Sequence, residues 1–241
     1  MTAQGGADLA RRAVAEATGT ALLLAGVVGS GIMGERLAGG NAAVALLANS
    51  LATGAALGAL ILTFGGVSGA HFNPAVTLAD AWTGGLRRRD APAYILAQVG
   101  GAFAGTAIAN VMFDLPPFSA SGHARAGVAQ LTGEFVATFG LLGVIWGCVR
   151  LRSAAVPFAV AAYVFAAIWF TSSTSFANPA VTLARAATDT FTGIRPIDAP
   201  GFCLAQLAGA VAATALFRWL VPALPHDADA VVLPHNEGSR E

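Results

Sequence analysis

No lysine occurs in this chain, and charged residues of all kinds make up only 11% of its 241 positions. A soluble domain carries about 25%, so a water-facing globule is excluded and lipid becomes the expected solvent. The 13 basic residues are all arginine and balance 13 acids to a net charge of zero. That leaves no basic field for nucleic acid to follow. Cysteine is scarce: Cys148 and Cys203 both lie inside apolar runs and read as small core residues, not as a disulfide or metal site. No nucleophile–base pair and no metal-ligand cluster appears, so an enzyme is excluded, and neither a cofactor nor a metal is expected. A cleavable signal is not expected, because the apolar run after Arg11 and Arg12 is too long for one.

What the chain does have is long apolar runs, with 56% hydrophobic residues overall. A bilayer core of about 30 Å takes about 20 such residues per helix. Six segments qualify as spans, at 13–34, 42–65, 92–113, 129–150, 154–172 and 200–221. Two shorter ones, 72–84 and 178–190, each carry Asn-Pro at their start and read as re-entrant half-helices. Irregular backbone at that depth is tolerated only where protein or a wet cavity receives it. With both termini cytoplasmic, Arg11, Arg12, Arg87, Arg88, Arg89, Arg150, Arg152, Arg218 and Arg240 fall inside, and Arg36, Arg125, Arg185 and Arg195 outside. That is the bias the positive-inside rule prefers. The division expected is a cytoplasmic N-terminus at 1–12, a membrane domain at 13–222 and a loose polar cytoplasmic tail at 223–241, with lipid as surroundings.

An internal repeat organises the membrane domain. FNPAVTLADA at 72–81 returns as ANPAVTLARA at 177–186, so Asn73 maps to Asn178, 105 residues on. Asp90-Ala91-Pro92 and Leu96-Ala97-Gln98 return at 198–200 and 204–206, and Glu16 and Glu134 lead the two halves. Each half (13–113 and 129–221) holds three spans, so the second sits upside down relative to the first. In such inverted repeats the functional site lies at the midplane between the halves. Gly54/Gly58, Gly101/Gly105 and Gly143/Gly147 form GxxxG pairs suited to close helix packing.

Each Asn-Pro-Ala suits a helix start. Asn73 and Asn178 are good N-caps, Pro74 and Pro179 lose no needed hydrogen bond at the first helical position, and Ala75 and Ala180 let two ends approach. Two such ends meeting at the bilayer centre point positive dipoles at one spot, and the asparagine amides are placed to donate into a pore. A site of that kind passes neutral hydrogen-bonding molecules and opposes cations.

With these motifs, and with SGAHFNPAVT at 68–77, the sequence resembles the aquaporin and aquaglyceroporin superfamily over roughly residues 10–222. The resemblance implies an all-α, right-handed bundle of six transmembrane helices and two half-helices. It also implies a homotetramer of independent pores and passive flow of small neutral solutes. In that family an arginine usually follows the second box as the main residue of the outer selectivity filter; here Val181 stands there. Ungapped counting puts the other filter positions at Thr53, Ala166 and Ser175, with Ala167 giving the same reading for the fifth span. Such a ring is wide and only mildly polar. It resembles that of an arginine-lacking bacterial subgroup linked to arsenous acid and other metalloid hydroxides, which points to a bacterial inner membrane.

Several residues have two readings. Arg185 lies one turn beyond Val181 and serves either the outer mouth or a local pair with Asp189. Asp80, its counterpart in the first half, serves either the inner mouth or a pair with Arg87 to Arg89. His71 either lines the inner vestibule or is a satisfied structural histidine. Glu16 and Glu134, acids within spans, serve either in a proton relay or, as the family resemblance implies, as hydrogen-bond acceptors for the re-entrant loops. Against the channel for polyols, metalloid hydroxides and water stand a strict water channel and an ion-coupled transporter. The transporter reading suffers from the absence of carboxylates among the midplane candidates.

Overall fold

Every apolar run becomes a helix, and no strand occurs among the described residues. In chain order these are α1 (Leu9–Leu37), α2 (Ala42–Ser68), α3 (Pro74–Thr83), α4 (Ala91–Met112), α5 (Val128–Leu151), α6 (Val156–Phe170), α7 (Pro179–Arg185) and α8 (Ala199–Leu220). The computed structural model describes residues 8–151 and 153–220. Most of the N-terminal segment and the whole 223–241 tail, with Arg152, His226, His235 and Arg240, lie outside the described residues.

Five helices are long and apolar enough to cross a bilayer, while α6 has 15 residues against an expected span of 154–172. It is shortened at both ends. A 3-10 turn occupies Ser153–Ala155, and Thr171 leaves the helix for extended backbone. The half-helix α7 is also shorter than the expected 178–190. The carbonyls of Ala186 and Ala187 are taken by the backbone N–H groups of Ser121 and Ser119, which ends the helix there.

Packing follows the repeat. Helix α1 lies against α2 and α4, α5 lies against α6 and α8, and α2 on α6 joins the halves. Small residues set the closest approaches. A Cβ on Gly101 or Gly105 would overlap the Ala17 or Ala21 carbonyl of α1, and Gly54 leaves 3.0 Å to the Ala161 carbonyl of α6. The third pair differs from the expectation: Gly143 and Gly147 face the Phe217 ring, and the close α5–α8 approach belongs to Gly209 against the Phe135 carbonyl. In lipid this contact area replaces the hydrophobic drive that water supplies to soluble cores.

Candidate functional site

The two re-entrant loops are built alike. Ala70 and Phe72 in the first, Ser175 and Ala177 in the second, hold φ of +48 to +49°, in the left-handed region. Non-glycine residues there cost about 1–3 kcal/mol each, so something must hold the loops in place. Glu16, fully buried, accepts from the backbone N–H of His71 (2.9 Å) and Phe72 (2.7 Å), the Ser68 hydroxyl and the Gln98 amide. Glu134, also fully buried, accepts from the N–H of Phe176 (2.8 Å) and Ala177 (2.9 Å) and the Gln206 amide. Charge-assisted bonds of this kind offset the backbone strain.

Each asparagine then does two jobs. Asn73 Oδ1 accepts from the Ala75 N–H, and Asn178 Oδ1 from those of Ala180 and Val181, which caps α3 and α7. Each Nδ2 crosses to the other half: Asn73 donates to the Ala177 carbonyl at 2.8 Å, and Asn178 to the Phe72 carbonyl at 2.7 Å. One amide hydrogen on each side is thereby used between the halves, which leaves the second for the cavity. Pro74 and Pro179 open the two half-helices, and Ala75 and Ala180, both fully buried, let α3 and α7 meet.

A cavity runs past these ends. Two helical stripes at four-residue spacing form much of its wall: Asn49, Thr53, Leu57 and Ile61 on α2, and Val156, Val160, Val164 and Ile168 on α6. Leu23 and Val27 on α1 mirror Leu141 and Ile145 on α5. Asn73, Asn178, Ser175, Val181, His71 and Arg185 also line it, with the re-entrant loops, and no carboxylate lies on the described wall. The hydroxyls of Thr53 and Ser175 are buried without any hydrogen-bond partner among the described residues.

One sequence expectation is corrected here. Ala166 lies exposed on the outside of α6, and Ala167, though buried, is not on the wall; Ile168 is. Counting back from the box crosses the irregular segment 171–177, which resets the helical register, so the stripe set by Val160 and Val164 ends on Ile168.

The mouths also differ from the salt-bridge alternatives. Asp80, buried, does not reach Arg87 to Arg89. Its Oδ2 lies 3.4 Å from His71 Nε2, while Arg87 and Arg12 both bind Asp90. His71 Nδ1 contacts the Thr77 hydroxyl at 3.1 Å, so this histidine is both hydrogen-bonded and on the wall. Arg185 does not pair with Asp189, whose carboxylate accepts from the Gly122 N–H. Its Nε donates to the Thr192 carbonyl, and its Cζ sits 3.3 Å from the centre of the Phe176 ring.

Sequence reasoning missed the residues behind the wall. Gln98 and Gln206 each link a glutamate to a half-helix threonine, Thr77 or Thr182. Their signal was available, since both are amides in mid-span at matching repeat positions. Arg125, which the sequence marks only as one of the outside arginines, reaches the same region. It donates to the Gly193 carbonyl at 2.8 Å and lies 5.0 Å from the Phe176 ring centre.

Similar proteins share this plan. The signature described as Major intrinsic protein matches residues 5–155 and 146–239. Aquaglyceroporin AqpS of Rhizobium meliloti (strain 1021) is 58% identical over 219 residues, spanning 90% of this chain and 94% of that one. Aquaporin NIP1-3 of Oryza sativa subsp. japonica is 34% identical over 186 residues, 74% of this chain and 64% of that one. The X-ray structure of the aquaglyceroporin from Plasmodium falciparum superposes with a TM-score of 0.67, covering 90% of this chain and 99% of that one. At 21% identity that likeness concerns the fold.

Proposed function

The chain belongs to the major intrinsic protein family of membrane channels, and from that premise we propose that it passes glycerol-like polyols, arsenous acid and similar metalloid hydroxides, and water. The character of the cavity wall carries this reading. It is mostly apolar, free of carboxylates among the described residues, and interrupted by hydrogen-bonding groups, among them the amides of Asn73 and Asn178, the unpartnered hydroxyls of Thr53 and Ser175, and the side chains of His71 and Arg185. A neutral solute that sheds water finds replacements at those points, while a cation finds no counter-charge. The aquaglyceroporin designation of the 58% identical relative supports glycerol. The metalloid hydroxides rest on Val181 standing where family members usually carry arginine.

The size-selecting ring of this reading is Thr53, Ile168, Ser175 and Val181. Isoleucine makes it narrower and more apolar than the alanine of the sequence expectation. His71 lines the opposite mouth, backed by Asp80, and Glu16 and Glu134 hold the loops from behind. We further propose a homotetramer in a bacterial plasma membrane with both termini cytoplasmic. The arginine distribution supports the orientation, and exposed apolar residues such as Leu96, Leu204 and Trp219 suit lipid or a neighbouring copy.

The test is a proteoliposome swelling panel with water, glycerol, urea and arsenous acid against protein-free vesicles. Glycerol and arsenous acid are expected to cross faster than through bare lipid, in linear proportion to concentration and regardless of ion gradients. Water flux alone would establish the strict water channel instead. Saturation coupled to an ion gradient would establish a transporter.

A further inference from the structure

We infer that Arg185 sets charge selectivity at the outer mouth, one helical turn away from the ring that sets size; the inference rests on the channel reading above. Val181 and Arg185 are four residues apart on α7 and both line the cavity. The wall therefore carries a small apolar side chain at the ring and a guanidinium one turn further out.

The guanidinium is held in place without being neutralised. Its Nε donates to a backbone carbonyl, that of Thr192, and its face stacks on Phe176, itself fixed by edge contact with Phe202 at 5.2 Å. A carbonyl and a ring face orient a cation and leave its charge in force. No ion pair includes Arg185 among the described residues. None of the neighbouring acids lines the cavity: Asp198 pairs with Arg195, Asp189 is held by the Gly122 N–H, and Glu134 by two loop N–H groups and Gln206. Arg125 adds a second cation 5.0 Å from the same ring. The Nη groups of Arg185 carry no protein hydrogen bond among the described residues, so they are donors for whatever occupies the mouth.

A positive charge on the wall of a narrow low-dielectric passage repels cations strongly and neutral solutes not at all. In this arrangement size and charge are selected by different residues, and each can be altered alone.

The experiment measures sodium leak and glycerol flux in proteoliposomes of the full chain. For Arg185→Gln the ratio of sodium leak to glycerol flux is expected to rise by roughly tenfold or more, which corresponds to about 1.4 kcal/mol of lost barrier. Arg185→Lys should keep the wild-type ratio. Because Arg185 is a buried anchor, a second variant varies the charge on one folded protein. Arg185→Cys in a Cys148→Ala, Cys203→Ala background is modified from outside with a cationic or an anionic thiosulfonate of similar size. The cationic adduct is expected to suppress the sodium leak and the anionic adduct to raise it. A leak indifferent to the sign of the adduct, or a thiol that neither reagent reaches, would overturn the inference. A wild-type protein that conducts no glycerol would instead remove the channel reading on which it stands.

Discussion

Valine at position 181 removes a planar five-donor fork from the second half-helix, and the side chains around it decide what that removal is worth. Val181→Arg adds bulk and charge to the proposed ring, so glycerol flux should fall further than water flux. The water-to-glycerol ratio from stopped-flow swelling is expected to rise several-fold, roughly the effect of a kcal/mol or so of extra barrier for the larger solute. Ile168→Ala should lower the same ratio, while Ala166→Val, on the outside of α6, should leave it unchanged. An unchanged ratio in the first two variants would remove residues 168 and 181 from the ring. The wall positions legible in the sequence are those tied to a repeat. Asn73, Asn178, Val181 and Ser175 sit within a few residues of a box, and only the short turn between Ser68 and Pro74 separates the helix of Thr53 from its box. Ile168 was not legible because a longer irregular loop, between Phe170 and Pro179, separates it from the box, and loop backbone has no period to count by. The cross-half targets of the asparagine amides were hidden for another reason: a contact between residues 104 apart leaves no local pattern.

At the scale of the elements, the helix positions could be read from apolar length and the caps, but not where two of them stop. Both α6 and α7 end where a neighbouring segment claims their last carbonyls or turns the chain, and that is tertiary information. The starts of α4 and α8 are marked more plainly, by Asp90 and Asp198 in matching repeat positions. Hydrogen bonds from Arg12 and Arg87 outweigh the burial of Asp90 and hold its carboxyl below the ordinary value of 3.8. Arg195, with the Arg125 N–H, does the same for Asp198. A carboxyl with a lowered folded-state pKa stabilises the fold above its unfolded value and loses that contribution as pH falls through the folded value. Thermal stability in detergent should therefore be flat near neutrality and decline below about pH 4. Asp90→Asn and Asp198→Asn should each start less stable at pH 7 and show a shallower decline on acidification. A wild-type profile that stays level to pH 3 would show that these anchors contribute little.

Across the whole molecule, two halves of like fold and opposite orientation meet at their asparagines. Asn73→Asp or Asn178→Asp would put a carboxylate where two helix N-termini converge and where a carbonyl of the other half needs a donor. Half the crossing hydrogen bonds are lost in either variant, and a buried carbonyl left unpaired costs about 1–3 kcal/mol. Lower yield of assembled protein, or a new cation leak in what does assemble, is the expected outcome. Wild-type assembly with unchanged glycerol flux and no leak in both variants would contradict the end-to-end arrangement. The same crossing bonds bear on how such a chain is made. During synthesis Asn73 emerges well before Ala177, the carbonyl that receives its amide. The first loop must wait, strained and half-satisfied, while the ribosome supplies a partner that enters from the other side of the bilayer. A lone half can complete its loop only by meeting a second half upside down. Fusing two such halves into one gene turns a chance encounter between molecules into a reaction of a chain with itself.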